Sequence, residues 1–295
     1  MQQPVDAPMA ETPATRYRPV APAMLAPAGR RPVVLLVLAS LPMLFFLLVP
    51  LVALIIRIAP AQLLANLAAP EVAQAVSLSM VTTAVTVLLT VLCGTPIAYL
   101  LARRRFRGRT ALDTLIDLPM VLPPSVAGIA LLVAFGRRGL LGQYLSSAGI
   151  DIAFTQTAVV LAQTFVAAPF YIKAATAGFA GIDAELEQAA AIDGASGWQV
   201  FRYITSPLAW ISLFGGAVMT WARALGEFGA TIIFAGNFVG RTQTMPLAIY
   251  QGFEQDLGVA LTLSVILLVV SFAVLFIVRG ILGGRVVEWG ARIRR

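Results

Sequence analysis

The sequence predicts an all-α integral membrane protein with six transmembrane helices and both termini cytoplasmic. Three observations carry this. Of the 295 residues 59% are apolar and 12% are charged, about half the charged fraction usual for soluble domains. Six apolar runs are each long enough to cross ~30 Å of hydrocarbon at ~1.5 Å rise per residue. Arginine and lysine collect on alternate connections between those runs, the asymmetry that orients membrane proteins.

The spans follow in order. Residues 1–32 hold seven of the eighteen prolines and little to bury, so a disordered, Pro-rich cytoplasmic tail is expected. Arg30-Arg31 then meets an uncharged run over 33–56. Its 24 residues exceed the core of a signal peptide, so it reads as an uncleaved first helix. Span two covers about 73–102, span three 115–135, span four 157–178, span five 208–234 and span six 258–278. A basic cytoplasmic tail, 281–295, closes the chain. Spanning helices are expected because each satisfies its own backbone in lipid.

With the N-terminal tail inside, sixteen basic residues lie on cytoplasmic segments. They include the cluster Arg103, Arg104, Arg105, Arg107 and Arg109, with Lys173 and Arg202 flanking span four and the loop after it. Four (Arg57, Arg137, Arg138 and Arg241) lie outside, and Arg223 falls within span five. The net charge of +7 is therefore read as membrane orientation and lipid headgroup contact, not nucleic-acid binding.

Composition also removes chemistries. There is no histidine, which excludes Ser-His-Asp triads and histidine-based zinc sites. The only lysine, Lys173, follows Ile172, so the chain holds no phosphate-binding Gly-Lys-Ser/Thr loop. Cys93 is the only cysteine and reads as a small buried residue. No catalytic residue and no metal site are expected.

The connection between spans four and five, 180–207, is the unusual segment. Asp183 is placed to cap a helix whose first turn holds Glu185 and Glu187, favourable at the positive end of the helix dipole. Ala189, Ala190 and Ala191 favour helix, and Gly194 permits a turn. Trp198, Phe201 and Ile204 then recur every three residues as an apolar stripe on a second short helix, and Pro207 opens span five. A helix–turn–helix outside the membrane with an apolar face is a docking element or a loop folded back on the bundle.

This loop resembles the signature of ATP-binding-cassette import permeases, Glu-Ala-Ala-x3-Gly-x9-Ile-x-Leu-Pro. Gln188, Ala189 and Ala190 precede Gly194 and Ala195, and Ile204, Thr205, Ser206 and Pro207 complete the spacing. Gln188 replaces the signature glutamate, with Glu187 just before it, and Ser206 replaces the leucine. The resemblance spans 73–280, the permease transmembrane domain. It narrows at Asp117–Gly128, at Gly136–Gly142 and at Ala222–Thr231 with Gly240–Ala248, which are similar to molybdate-type permeases, close relatives of sulfate and tungstate permeases.

The resemblance implies a permease subunit of an ATP-driven oxyanion importer in the bacterial inner membrane, most simply a homodimer around one pathway. It implies cytoplasmic ATPase subunits that hold the ATP and magnesium, and an extracytoplasmic oxyanion-binding protein. This chain itself would carry no cofactor. The loop would be an ATPase-coupling element through Glu185, Glu187, Gln188, Ala189, Ala190, Gly194, Ala195, Trp198, Phe201, Ile204 and Pro207.

Pathway candidates come from polar residues inside spans. Arg223 and Glu227 are four apart and able to pair, either beside an anion route or as a structural bridge. Thr82, Thr86 and Thr90 form a hydroxyl stripe that lines a pathway, glues helices or bonds back to its own helix. Ser125 follows Pro123 and Pro124, which with Pro119 break the entrance to span three. Asn237, Arg241, Gln243, Glu254 and Asp256 are outer-loop candidates for the binding protein. A secondary transporter, the competing class, would need coupling carboxylates in several spans, and only Glu227 qualifies.

Overall fold

The computed structural model describes residues 30–293, with the side chains of 30–34, 279 and 281–293 outside that description. The expected Pro-rich tail therefore lies outside the described residues as far as residue 29. The chain divides into two units, Met1–Val52 and Ala53–Arg295. In the first, helix α1 begins at Arg30 and runs to Arg57, with Pro42 and Pro50 inside it. Its stretch Leu35–Arg57 is long and apolar enough to cross a membrane.

The second unit is helical among its described residues. After the short α2 (Pro60–Leu67) comes α3 (Pro70–Arg103), followed by α4 (Arg109–Val121), α5 (Pro124–Phe135) and α6 (Gly142–Ser147). Next are α7 (Gln156–Ala180), α8 (Ala184–Ile192) and α9 (Gly197–Val200). A π-helical turn, Phe201–Thr205, leads into α10 (Ser206–Leu225). Then come α11 (Gly229–Phe234), α12 (Met245–Gln255) and α13 (Leu257–Ile293). Prolines at the first turns of α2, α3, α5, α10 and α12 start helices where no N–H is required.

Spans two, four and six are continuous helices at the expected places. Spans three and five are not. Span three is split at Leu122-Pro123, where α4 and α5 meet at 116°. Pro123 cannot supply an N–H and biases Leu122 to the extended backbone seen there (ψ 135°). Span five stops at Leu225, and Gly226–Phe228 separate α10 from the short α11. The segment read as a basic tail continues α13 in helical form to Ile293.

The centre of this unit is α7, which packs along α3 on one side and α10 on the other. The packing is close because a glycine on one helix of each pair admits the other helix. A Cβ on Gly94 would meet the Tyr171 ring at 3.0 Å, and one on Gly216 would meet Ala174 at 2.8 Å. Without water to expel between helices in lipid, such contact and interhelical hydrogen bonds supply the cohesion. The three apolar clusters follow the same logic. One joins α5, α7 and α11 around Ala127, Ala162 and Phe234. Another joins α3, α7 and α10 around Ala98, Tyr171 and Phe179. The last joins α3, α10, α12 and α13 around Val72, Met245 and Leu263.

Cys93 is exposed, not buried as expected. The burial on α3 follows Thr86, Thr90, Gly94 and Ala98, a stripe that leaves Cys93 on the outer face.

Candidate functional site: the α8–α9 segment and the polar groups of the bundle

The segment between α7 and α10 forms as its residues dictate. The Asp183 carboxylate accepts the Glu185 N–H at 3.0 Å and starts α8. Gly194 turns the chain at φ +91°, in the left-handed region where a side chain is disfavoured. Ser196 and Gln199 then form a capping box, with Oγ accepting the Gln199 N–H and Oε1 accepting the Ser196 N–H. The second helix differs from expectation in one respect. It does not end before Pro207, because α9, the π turn and α10 run on as one apolar stretch from Gly197 to Leu225. Pro207 is accommodated in the first turn of α10.

The predicted stripe of Trp198, Phe201 and Ile204 is shared between two surfaces. Trp198 is 66% exposed, whereas Phe201 and Ile204 are half-buried. Trp198 stacks on Phe201 with centroids 5.7 Å apart. Phe201 in turn meets Tyr99 of α3 edge-on at 5.4 Å and Phe179 of α7 at 6.1 Å. Tyr99 and Phe179 close the group at 5.6 Å. Each such pair contributes roughly 0.5–1.5 kcal/mol beyond burial. A run of rings thus connects an exposed indole to two long helices. Leu186, Ile192 and Tyr203 add exposed apolar surface to the same segment.

Of the other expected coupling residues, Glu185, Gln188, Ala189 and Gly194 are exposed, and Ala190 and Ala195 are half-buried. Glu187 is turned inward. Its Oε1 accepts from Arg103 Nη2 at 3.0 Å and from the Thr205 hydroxyl at 2.6 Å. Arg103 Nη1 also donates to the Ile182 carbonyl at 3.1 Å. Arg103 therefore leaves the lipid-facing cluster to which its position in sequence had assigned it. The Thr205 hydroxyl was not anticipated; the π turn carries it to Glu187.

The mid-span ion pair is present. Arg223 Nη1 lies 2.8 Å from Glu227 Oε2, and Glu227 is buried. Glu227 Oε1 accepts the Ala230 N–H at 2.9 Å. One carboxylate thus neutralises a cation and caps α11 across the break after α10. Below the break, α11 and α5 fit closely. A Cβ on Gly229 would meet Pro124 Cβ at 2.6 Å, and one on Gly128 would meet the Ala230 carbonyl at 2.9 Å.

Thr82 and Thr86 are buried within this chain. The Thr86 hydroxyl donates to Gln163 Oε1 of α7 at 3.1 Å, while Thr82 and Thr83 bond back to Ser79. Their geometry is that of helix gluing and back-bonding, whereas the buried Thr90 hydroxyl has no hydrogen-bond partner among the described residues. Ser79 Oγ accepts the Met245 N–H at 2.7 Å, joining α3 to α12. Ser125 is exposed on the first turn of α5. On the outer connection Arg241, Glu254 and Asp256 are exposed, but Gln243 is buried. Gln243 and Asn237 both donate to Gln251 Oε1 and so tie the loop to α12.

Lys173 was expected to flank span four and instead lies inside α7, seven residues before its end. Its ammonium bridges Asp113 and Asp117 of α4 at 2.7 and 2.8 Å. No residue of α4 is fully buried, and these bridges hold it to α7 together with Leu112 and Ile116, which pack on the Tyr171–Phe179 cluster. The i, i+4 spacing of the two aspartates was the available signal, although their partner is more than fifty residues away.

Long apolar helices, a bend inside one span and a break inside another, and ion pairs kept within the helix bundle define a multi-pass helical membrane protein. A family model described as binding-protein-dependent transport system inner membrane component matches residues 94–287, and the chain belongs to that family. It is therefore a multi-pass protein of the bacterial inner membrane. It is similar to the molybdenum transport system permease protein ModB of Mycobacterium tuberculosis, at 46% identity over 77% of this chain and 86% of that protein. To ModB of Escherichia coli it is 39% identical, over 75% of this chain and 94% of that one. The fold matches a bacterial ABC transporter involved in import of the acidic polysaccharide alginate, with a TM-score of 0.66 at 16% identity. That match covers 85% of this chain and 96% of the other.

Proposed function

We propose that this chain is the permease subunit of an ATP-driven oxyanion importer with molybdate as its cargo, and that it is not itself an enzyme. Two copies would enclose the pathway, cytoplasmic ATPases would hold ATP and magnesium, and an extracytoplasmic binding protein would deliver the anion. The N-terminus and the α8–α9 segment lie in the cytoplasm in this reading, as the distribution of arginine favours. The observation that carries it is the exposed apolar surface of α8 and α9 coupled rigidly to the bundle. Trp198 stands out from the segment, and through Phe201 it reaches Tyr99 and Phe179. A large exposed indole fits a pocket in a partner, and the ring contacts behind it transmit the partner's motion as a rigid-body displacement. The identities to ModB proteins support molybdate over sulfate.

Trp198→Ala tests the docking role. The variant is expected to insert and fold normally, because the indole is mostly exposed. ATP-driven molybdate uptake in vesicles containing the ATPase is expected to fall about ten-fold or more, as for other buried aromatic anchors of interfaces. Normal uptake by a fully inserted variant would contradict docking through this surface. Uptake of molybdate, tungstate and sulfate in a deletion strain, each competed with the others, tests the cargo.

A further inference from the structure

The polar half of the α8 attachment has a role of its own. Four separate parts of the chain meet at one ion pair. Arg103 is the last residue of α3, Ile182 follows α7, Glu187 lies on α8, and Thr205 ends the π turn before α10. The Glu187 carboxylate oxygen receives both Arg103 and Thr205, and the same guanidinium holds the Ile182 carbonyl. Arg103 and Glu187 are 14% and 16% exposed. Water therefore screens the pair little, and its hydrogen bonds are charge-assisted.

The neighbouring residue sharpens the point. Gln188, at the signature glutamate position, faces outward, while Glu187 faces inward. The acidic side chain next to the signature position is thus committed within the chain, whereas Glu185 remains exposed. The π turn has a consequence here as well. It carries Thr205, which is fully buried, to the carboxylate that Arg103 already holds. Such turns inserted in α-helices often mark functional positions.

We propose that Arg103, Glu187 and Thr205 are positioning residues that lock the α8 segment to α3, α7 and α10, so that displacement of α8 moves all three helices together. Glu187 acts through the helices it joins and does not touch the ATPase. The proposal rests on the docking reading, with which it shares the motion but not the residues. Force received at Trp198 passes through the ring contacts; the ion pair passes force received along α8 to the bundle. Without the pair, α8 can yield to the partner without moving the spans, and ATP is hydrolysed without transport.

The experiment uses this chain co-purified with its ATPase and reconstituted in vesicles, with molybdate as the transported probe. It reads molybdate imported per ATP hydrolysed. A single change at Arg103 or Glu187 leaves an uncompensated charge, so the main variant removes both, Arg103→Met with Glu187→Gln. Replacing a buried pair as a unit is often neutral for stability. The expected result is normal recovery of the complex with the transport-to-hydrolysis ratio lowered about ten-fold, within the usual range of coupling between sites. Thr205→Val, which keeps shape and removes only the hydroxyl, is expected to lower the ratio about two- to five-fold. It decides the matter should the double variant fail to assemble.

A ratio equal to wild type in the assembled double variant, or in Thr205→Val, overturns the proposal and leaves the pair a structural bridge. Failure of the unmodified chain to bind the ATPase, or uptake independent of ATP, overturns the docking reading instead. An ATPase that is released by Glu187→Gln but retained by Arg103→Met would show that Glu187 contacts the partner directly, and would also overturn the proposal.

Discussion

Two ion pairs in this protein have similar chemistry and restrain different things. Arg223–Glu227 closes at 2.8 Å and Arg103–Glu187 at 3.0 Å. The first is an i, i+4 contact whose carboxylate also caps α11. It fixes the local course of the backbone where span five breaks. The second joins residues 84 apart and reaches a carbonyl after α7 and a hydroxyl before α10. It fixes helices relative to one another. What an ion pair does is set by which elements it connects, not by its length. The same contrast holds for the surroundings: close glycine contact supports the broken span, and an aromatic group supports the α8 attachment.

Substitutions in the two regions test this contrast, and the largest effect is expected at the broken span. Gly229→Val puts a branched side chain where even a Cβ would lie 2.6 Å from Pro124. Overpacking of this kind costs roughly 1–3 kcal/mol, and here it pushes α11 away from α5. Thermal unfolding of the purified chain should show the loss, and the amount inserted in the membrane should fall with it. Glu227→Gln is expected to have the next largest effect. It preserves an acceptor for the Ala230 N–H and removes the charge that Arg223 faces. A cost of about 1–3 kcal/mol follows for the stranded cation, reduced by the partial exposure of Arg223. Melting temperature should drop without any selective change in transport per ATP. A selective change in that ratio would make the two pairs equivalent and remove the contrast.

The smallest effect belongs to a third pair, the exposed Arg137–Asp151 bridge at 2.9 Å. The Asp151 carboxyl is held below its ordinary pKa chiefly by the Ser146 hydroxyl; desolvation opposes this, and the hydrogen bond and charge of Arg137 add to the lowering. A depressed carboxyl stabilises the fold above its unfolded pKa, and that contribution disappears as pH falls through the folded value. Hydrogen exchange in the 137–151 loop should therefore be insensitive to this group above about pH 5 and increase only in more acidic buffer. Loop opening near neutral pH would contradict the assignment.

Much of the molecule could be read from local pattern. The helical spans, the Asp183 cap, the turn at Gly194 and the Arg223–Glu227 pair all involve residues within a few positions of one another. The bend between α4 and α5 was partly legible, because Pro119, Pro123 and Pro124 signalled a break but not its location inside the span. Glu187 was recognised as a member of the loop, yet its direction was not. Neither Arg103 nor Thr205 carried any signal, since one lay in a run of arginines and the other in a signature position of no special polarity. Lys173 and Cys93 were misplaced for the same reason: burial on a helix depends on which neighbour faces it.

By itself the sequence determined the membrane class, the approximate extent of the apolar helices, the distribution of positive charge and the capped α8–α9 segment. These follow from hydropathy, side-chain charge and backbone preference, which act over one to a few turns. Only the tertiary structure decided where spans three and five break, which hydroxyls are spent inside the bundle, and that Arg103 meets Glu187 and Thr205. Those choices depend on the close approach of helices distant along the chain, where small residues set the spacing and a carboxylate takes the donors that packing brings to it.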